Sequence, residues 1–282
     1  MKNIKFLALL PLLMLSSCGL GTKLSEDQAK ERIDAINEKM GNLGDDENYK
    51  NCKMSFVSES FSKDSDGEKI KVKTAYKLNA NSEDEFYASV ENVRGSEKTT
   101  SEIYYVKDLG DDYGDILYVK NYDSEKEEDK TTIEVMASVD DENAFNEALS
   151  GYLLSVGLIS ASVVTTYGNP ENVAAMIDDG SDNYDVEVSY YSGINGDFSV
   201  KGVAKITSEA EESVDDDAKD SVVKSSTVMA TYSKDVLSSF DSEAVYMSGD
   251  KGSTRGSLAY QKAKIKISLP SGWQNELDKE AE

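Results

Sequence analysis

The spacing of apolar positions changes period several times along the chain, and each change marks an element. Ser25 is followed three residues on by Gln28, the spacing of a capping box, and Ala29, Ile33, Ile36 and Met40 then form one apolar stripe. The pattern predicts a helix over 25–40, ended by Gly41-Asn42, with a turn at Asp45 to Asn48. From Tyr49 the period falls to two. Met54 and Phe56 alternate with Ser55 and Val57, and Asp64-Ser65-Asp66-Gly67 makes a turn. Ile70, Val72, Thr74, Tyr76 and Leu78 then share one face of a strand, with Lys69, Lys71, Lys73, Ala75 and Lys77 on the other. One face needs a core and the other needs water. Further strands are expected at 84–93, 100–107, 113–122 and 130–138, with an acidic tip at Glu125 to Asp129. The short links between them imply an antiparallel meander.

Asp140-Asp141 opens a different element. Phe145, Leu149, Tyr152, Leu153, Val156, Ile159 and Val163 follow helical spacing, and Leu154 and Leu158 widen the stripe. Gly151, Gly157 and the β-branched end weaken the helix, and the stretch is too interrupted to read as a membrane span. Asn169-Pro170 restarts a helix that ends at Gly180. Alternation returns with Val186, Val188 and Tyr190, then with Phe198, Val200, Ala204 and Ile206. After an acidic loop at Glu209 to Asp217, strands are expected at 222–232, 242–248 and 257–269. The last sets Ala263, Ile265, Ile267 and Leu269 against Lys262, Lys264 and Lys266, and Pro270 to Trp273 closes the sheet. The pattern amounts to one α+β domain over 25–273, with about eleven strands, an N-terminal helix, a central helical segment and a polar tail at 274–282.

The start of the chain has its own logic. Lys2 and Lys5 precede an apolar run from Phe6 to Leu15, too short to span a ~30 Å hydrocarbon core as a permanent helix. The run ends in Leu15-Ser16-Ser17-Cys18-Gly19, which resembles the bacterial lipobox. That resemblance implies a signal peptide over 1–17, cleavage before Cys18, a diacylglycerol on its thiol and a short tether over 18–24. It implies lipoprotein-processing machinery as a partner. It also implies anchoring, through acyl chains such as palmitate, at the extracytoplasmic face of the cell membrane, with an outer membrane as the alternative.

Composition narrows the chemistry. The formal net charge is −24, and losing Lys2 and Lys5 makes it more negative. A field of that sign disfavours nucleic acid and anionic head groups. The chain has no histidine, which removes histidine-based nucleophile systems and histidine zinc sites. Cys52 is the only cysteine besides Cys18, so a lipidated Cys18 leaves it no disulfide partner. No enzyme, cofactor or metal is expected. The clusters Asp108/Asp111/Asp112, Asp178/Asp179/Asp182 and Asp215/Asp216/Asp217 lack EF-hand spacing and read as solvated loops, with Ca²⁺ left open. The many tyrosines suit half-buried strands. The lysine-rich strand faces suit pairing with Glu and Asp across the sheet.

Helix, meander, helical interruption and second meander over residues 24–273, closed by Ile267-Ser268-Leu269-Pro270-Ser271-Gly272-Trp273, resemble the LolA/LppX-type lipoprotein-carrier family. The chain departs from it in having few arginines, only Arg32, Arg94 and Arg255. The resemblance implies a strongly curved antiparallel sheet, an incomplete barrel wrapped around its helices. It implies an apolar cavity lined by Phe145, Leu149, Tyr152, Leu153, Val156, Ile159 and Val163. The function it implies is a membrane-anchored lipoprotein that binds or carries a lipid or other apolar ligand without covalent chemistry. The alternative is a surface interaction or structural lipoprotein with a filled core and no small-molecule ligand.

Overall fold

A computed structural model describes residues 21–43, 49–63, 66–177, 180, 182–193 and 195–280, with side chains to Leu277. The leader 1–17, Cys18, the turn at 45–48 and Asp178-Asp179 lie outside the described residues.

The first half runs β1 (Thr22–Lys23), α1 (Glu26–Gly41), β2 (Asn51–Lys63), β3 (Lys69–Ala80), β4 (Phe86–Arg94), β5 (Glu97–Val106), β6 (Ile116–Asp123) and β7 (Thr131–Ala137). Two helices follow, α2 (Glu142–Tyr167) and α3 (Pro170–Ala175). The second half holds β8 (Tyr184–Ser192), β9 (Phe198–Ile206), α4 (Ser208–Glu212), β10 (Val223–Ser233), β11 (Val236–Tyr246), β12 (Lys251–Gln261) and α5 (Trp273–Glu280). The six strands of the first meander and five of the second match the expected tally, and the two-residue β1 makes a twelve-stranded sheet. Ser25 caps α1 with Gln28 in a full capping box, as its spacing predicts.

All pairings are antiparallel, and the order is β1-β8-β9-β10-β11-β12-β2-β3-β4-β5-β6-β7. The last strand of the second meander thus pairs with the first strand of the first. Gly256 on β12 lies opposite Phe56 on β2 and beneath the ring of Phe240; an added Cβ there would come within 2.2 Å of that ring. Only glycine allows so close an approach.

The expectation of a strongly curved, incomplete barrel does not hold. The sheet is large and antiparallel but neither closed nor strongly curled: its order ends at β7 on one side and β1 on the other, and those strands do not pair. The packing of α2 gives the physical reason. Phe145 meets Tyr105 on β5, with ring centroids 6.3 Å apart, and Tyr167 stacks on Phe240 of β11 at 4.2 Å. Between those residues the helix axis advances about 33 Å at 1.5 Å per residue. A rod of that length laid across strands leaves no room for a tight barrel to curl around it.

One inner row shows how the core forms. Leu258, Met54, Leu78, Ala88, Ile103 and Val119 lie side by side across β12, β2, β3, β4, β5 and β6, all buried beneath the helices. The opposite face of β4 to β7 carries Tyr87, Tyr104, Tyr118 and Val135 in register. The segment after β12 covers part of that face. Residues 262–272 are not the strand that alternation predicts. Ile265 and Ile267 pack against Val106, and Trp273 packs against Tyr118 and Val135. Trp273 then begins α5, so most of the polar tail is helical.

Candidate functional site

The most apolar stretch of the described chain folds as α2. Asp141 caps it, its carboxylate accepting from the Asn143 and Ala144 N–H groups at 3.0 Å each. The helix is continuous through Gly151 and Gly157, so burial of one face outweighs their weak propensity.

That face lies on the sheet. Phe145, Leu149, Val156, Val163 and Tyr167 are buried, and Tyr152 and Ile159 are half-buried against the same core. Ser160 Oγ lies 3.3 Å from the Tyr76 hydroxyl on β3, and the Tyr232 hydroxyl donates to the Tyr167 carbonyl at 2.6 Å. Of the seven residues expected to line a cavity, six sit on or beside this sheet-facing side. Leu153 points outward.

The outward face is apolar as well. Leu153 is 45 % exposed, Leu154 64 % and Leu158 63 %. From Ala148 to Tyr167 the helix carries no Asp, Glu, Lys or Arg. Two of its exposed serines bond back into the helix: Ser150 donates to the Asn146 carbonyl at 2.7 Å and Ser155 to the Gly151 carbonyl at 3.0 Å. By length and composition α2 is apolar enough to cross a membrane, although one face is committed to the sheet. Isolated exposed leucines are ordinary, but three on one charge-free helix face form a contiguous patch, and such patches mark interaction sites.

No protein-family model matches the chain. No curated protein matches it either. Among solved structures, a DUF1329 family protein from Desulfovibrio piger is 9 % identical, with 85 % of this chain and 94 % of that one covered and a TM-score of 0.22. A beta-barrel-like protein of the domain of unknown function DUF1849 from Brucella abortus is 9 % identical over 78 % and 99 %, at 0.20. An outer membrane lipoprotein-sorting protein domain from Vibrio parahaemolyticus is 9 % identical over 87 % and 96 %, at 0.19. These are distant similarities, and TM-scores of this size do not establish a shared fold.

Away from α2, a buried polar clamp holds the C-terminal segment. Asn81 Nδ2 donates to the Ile265 carbonyl at 3.0 Å, and the Ile265 N–H donates to Asn51 Oδ1 at 3.3 Å. Asn81 also donates to Glu85 at 2.6 Å, and Glu85 accepts from the Lys107 N–H at 3.2 Å. Burial alone would raise the Glu85 pKa. The hydrogen bonds from Asn81 and Lys107, with the Lys264 cation beside them, outweigh burial and hold the carboxyl below its ordinary value. Sequence reasoning missed this clamp. Asn51 and Asn81 sit at the ends of β2 and β3 and gain meaning only when residues 263–267 fold back over them.

The lysine faces behave as their spacing suggests. Lys71 pairs with Glu59 at 2.9 Å, Lys73 with Glu91 at 3.2 Å, and Lys264 with Glu83 and Glu85. Among the described residues no three acidic, cysteine or histidine side chains converge as a cation site. Asp216 instead pairs with Lys219 at 2.7 Å. A cleft of about 290 Å³ beyond α3 is lined in part by Met176, Ile177, Ser58 and Thr254, whose hydroxyls lie 3.0 Å apart.

Proposed function

We propose that this protein is an extracytoplasmic lipoprotein, lipidated at Cys18 and anchored to the membrane, whose folded domain binds a lipid or other apolar ligand without covalent chemistry. The observation that carries this reading is α2, which is apolar on both sides over twenty uncharged positions and leaves Leu153, Leu154 and Leu158 open. An acyl chain lying along the helix buries against those leucines at about 25 cal/mol per Å² of apolar surface. Where it slips between helix and sheet, it meets Phe145, Leu149, Tyr152, Val156, Ile159 and Val163. A lipid tether beginning a few residues before β1 keeps this surface near the bilayer, where such ligands are abundant.

Native mass spectrometry of the non-lipidated 19–282 fragment, expressed in bacteria, tests the reading. A co-purified lipid lost on organic extraction, and reduced in a Leu154→Glu/Leu158→Glu variant that keeps its fold, is the expected result. Repeated absence of any adduct in the wild-type fragment overturns it. The core beneath α2 is well populated, which favours a protein-interaction role for the same ridge if lipid is absent.

A further inference from the structure

Strand β8 is paired along its full length on one side only. β9 runs beside Tyr184–Ser192 throughout, while β1 covers only Tyr191 and Ser192 on the other side. The last bond on that side is from the Leu24 N–H to the Tyr190 carbonyl, at 2.8 Å. In an antiparallel strand the N–H and C=O of one residue point to the same side, and the side alternates along the chain. Val188 and Val186 therefore present their backbone groups where Tyr190 does. Among the described residues no strand meets them there.

This open edge borders a cleft of about 530 Å³. Ala29 and Ile33 from α1, with Val188 and Tyr190, supply its apolar lining. Its rim carries three carboxylates, Glu26, Asp34 and Glu171, against Lys30; Lys23 is taken up by Glu187 at 3.2 Å. Backbone groups waiting for a strand, beside a hollow for alternate side chains, are the two parts of strand-addition recognition.

The local charge selects the occupant. Asp185 and Glu187 alternate with the edge-facing valines, so a second β8 laid antiparallel on the first would bring carboxylates together across the pair, which is unfavourable. Where β1 meets β8, at Thr22 opposite Ser192, the approach is close: Gly21, at φ +83°, is pressed so tightly that an added Cβ would lie 2.0 Å from the Ser192 carbonyl oxygen. β1 itself shows that the edge accepts an added strand.

We propose that the β8 edge is a docking site for a basic, extended peptide segment. The segment adds as a strand beside Tyr184–Ser189 and places an apolar side chain in the cleft under α1. The site is distinct from the α2 ridge and does not depend on lipid binding.

The test uses the full-length chain in detergent, with a capped alternating Lys–Val octapeptide as probe and its Glu–Val counterpart as control. Amide hydrogen exchange at Val186 and Val188 is expected to slow on addition of the Lys–Val peptide. Val188→Pro removes one edge-facing N–H without touching the β9 ladder, and proline is tolerated at such edges. It is expected to weaken binding by up to about tenfold, as loss of one backbone hydrogen bond does. Glu171→Lys is expected to weaken it too, and the Glu–Val peptide to bind less well at low salt. Three results overturn the proposal: unchanged exchange at Val186 and Val188 under saturating peptide, protection at β7 instead, or equal binding by a folded Val188→Pro variant. If that variant does not fold, the wild-type exchange map decides alone.

Discussion

Gly151 and Gly157 lie on the solvent side of α2, where an added Cβ meets no atom within 4 Å. Replacing either by alanine is expected to stabilise the fold by about 0.5–1 kcal/mol, the helical cost of glycine. The same change at Gly256 is expected to destabilise it, because the new carbon strikes Phe240 and, through it, the stacked Tyr167. Urea unfolding of the three variants checks both signs; a uniform response would contradict the packing. Cys52 carries another residue-scale expectation. Burial pushes its thiol up to about 11, so little thiolate exists at pH 8. Iodoacetamide should label the native protein more slowly than the urea-unfolded chain at that pH, and equal rates would refute the burial argument. Both effects depend on neighbours brought from far along the chain, so neither is legible in the local sequence.

The two faces of α2 respond differently to change. Phe145→Ala removes a ring from the core and is expected to cost about 3–5 kcal/mol. Leu154→Glu and Leu158→Glu alter solvent-facing positions and are expected to move stability by no more than about 0.5 kcal/mol. Thermal unfolding of the three variants distinguishes this arrangement from one in which both faces are buried. The helix itself was legible, from Asp141 at its cap to the spacing of Phe145, Leu149, Val156 and Val163. Where the sheet-facing side ended was not. The stripe was wide enough to include Leu153, and rotation about the helix axis is set by the rows of side chains beneath. The segment after β12 shows the converse. Ile265, Ile267 and Leu269 alternate like a strand, yet Asn51 and Asn81 hold the backbone at Ile265 in place of a ladder partner. That clamp gives a pH expectation. Glu85 has a folded pKa below its unfolded value of about 4.3, so its contribution is present above that value and lost as pH falls through the folded one. The thermal midpoint should fall in acid below about pH 4, and Glu85→Gln should flatten that limb.

At the scale of the whole molecule, the sheet joins two meanders through β12 and β2 and is covered on both faces, by α1, α2 and α3 on one and by the C-terminal segment on part of the other. Trp273→Ala is expected to cost about 3–5 kcal/mol, because it uncovers Tyr118 and Val135 at the β6–β7 end of the sheet. Denaturant unfolding checks it, and a change within error would mean that the C-terminal segment does not close the outer face. By itself the sequence determined the local elements: the capped α1, eleven alternating strands in two groups, an apolar central helix, and the charged and uncharged faces of each strand. Those follow from side-chain period and capping, which act over a few residues. Only the tertiary structure decided that the sheet stays open, that Leu153 faces water while Val156 does not, that residues 262–272 form a strap, and that among the described residues only β1 pairs with the outer side of β8. Each of these depends on contacts between segments distant in the chain, and the spacing of residues within one element carries no information about them.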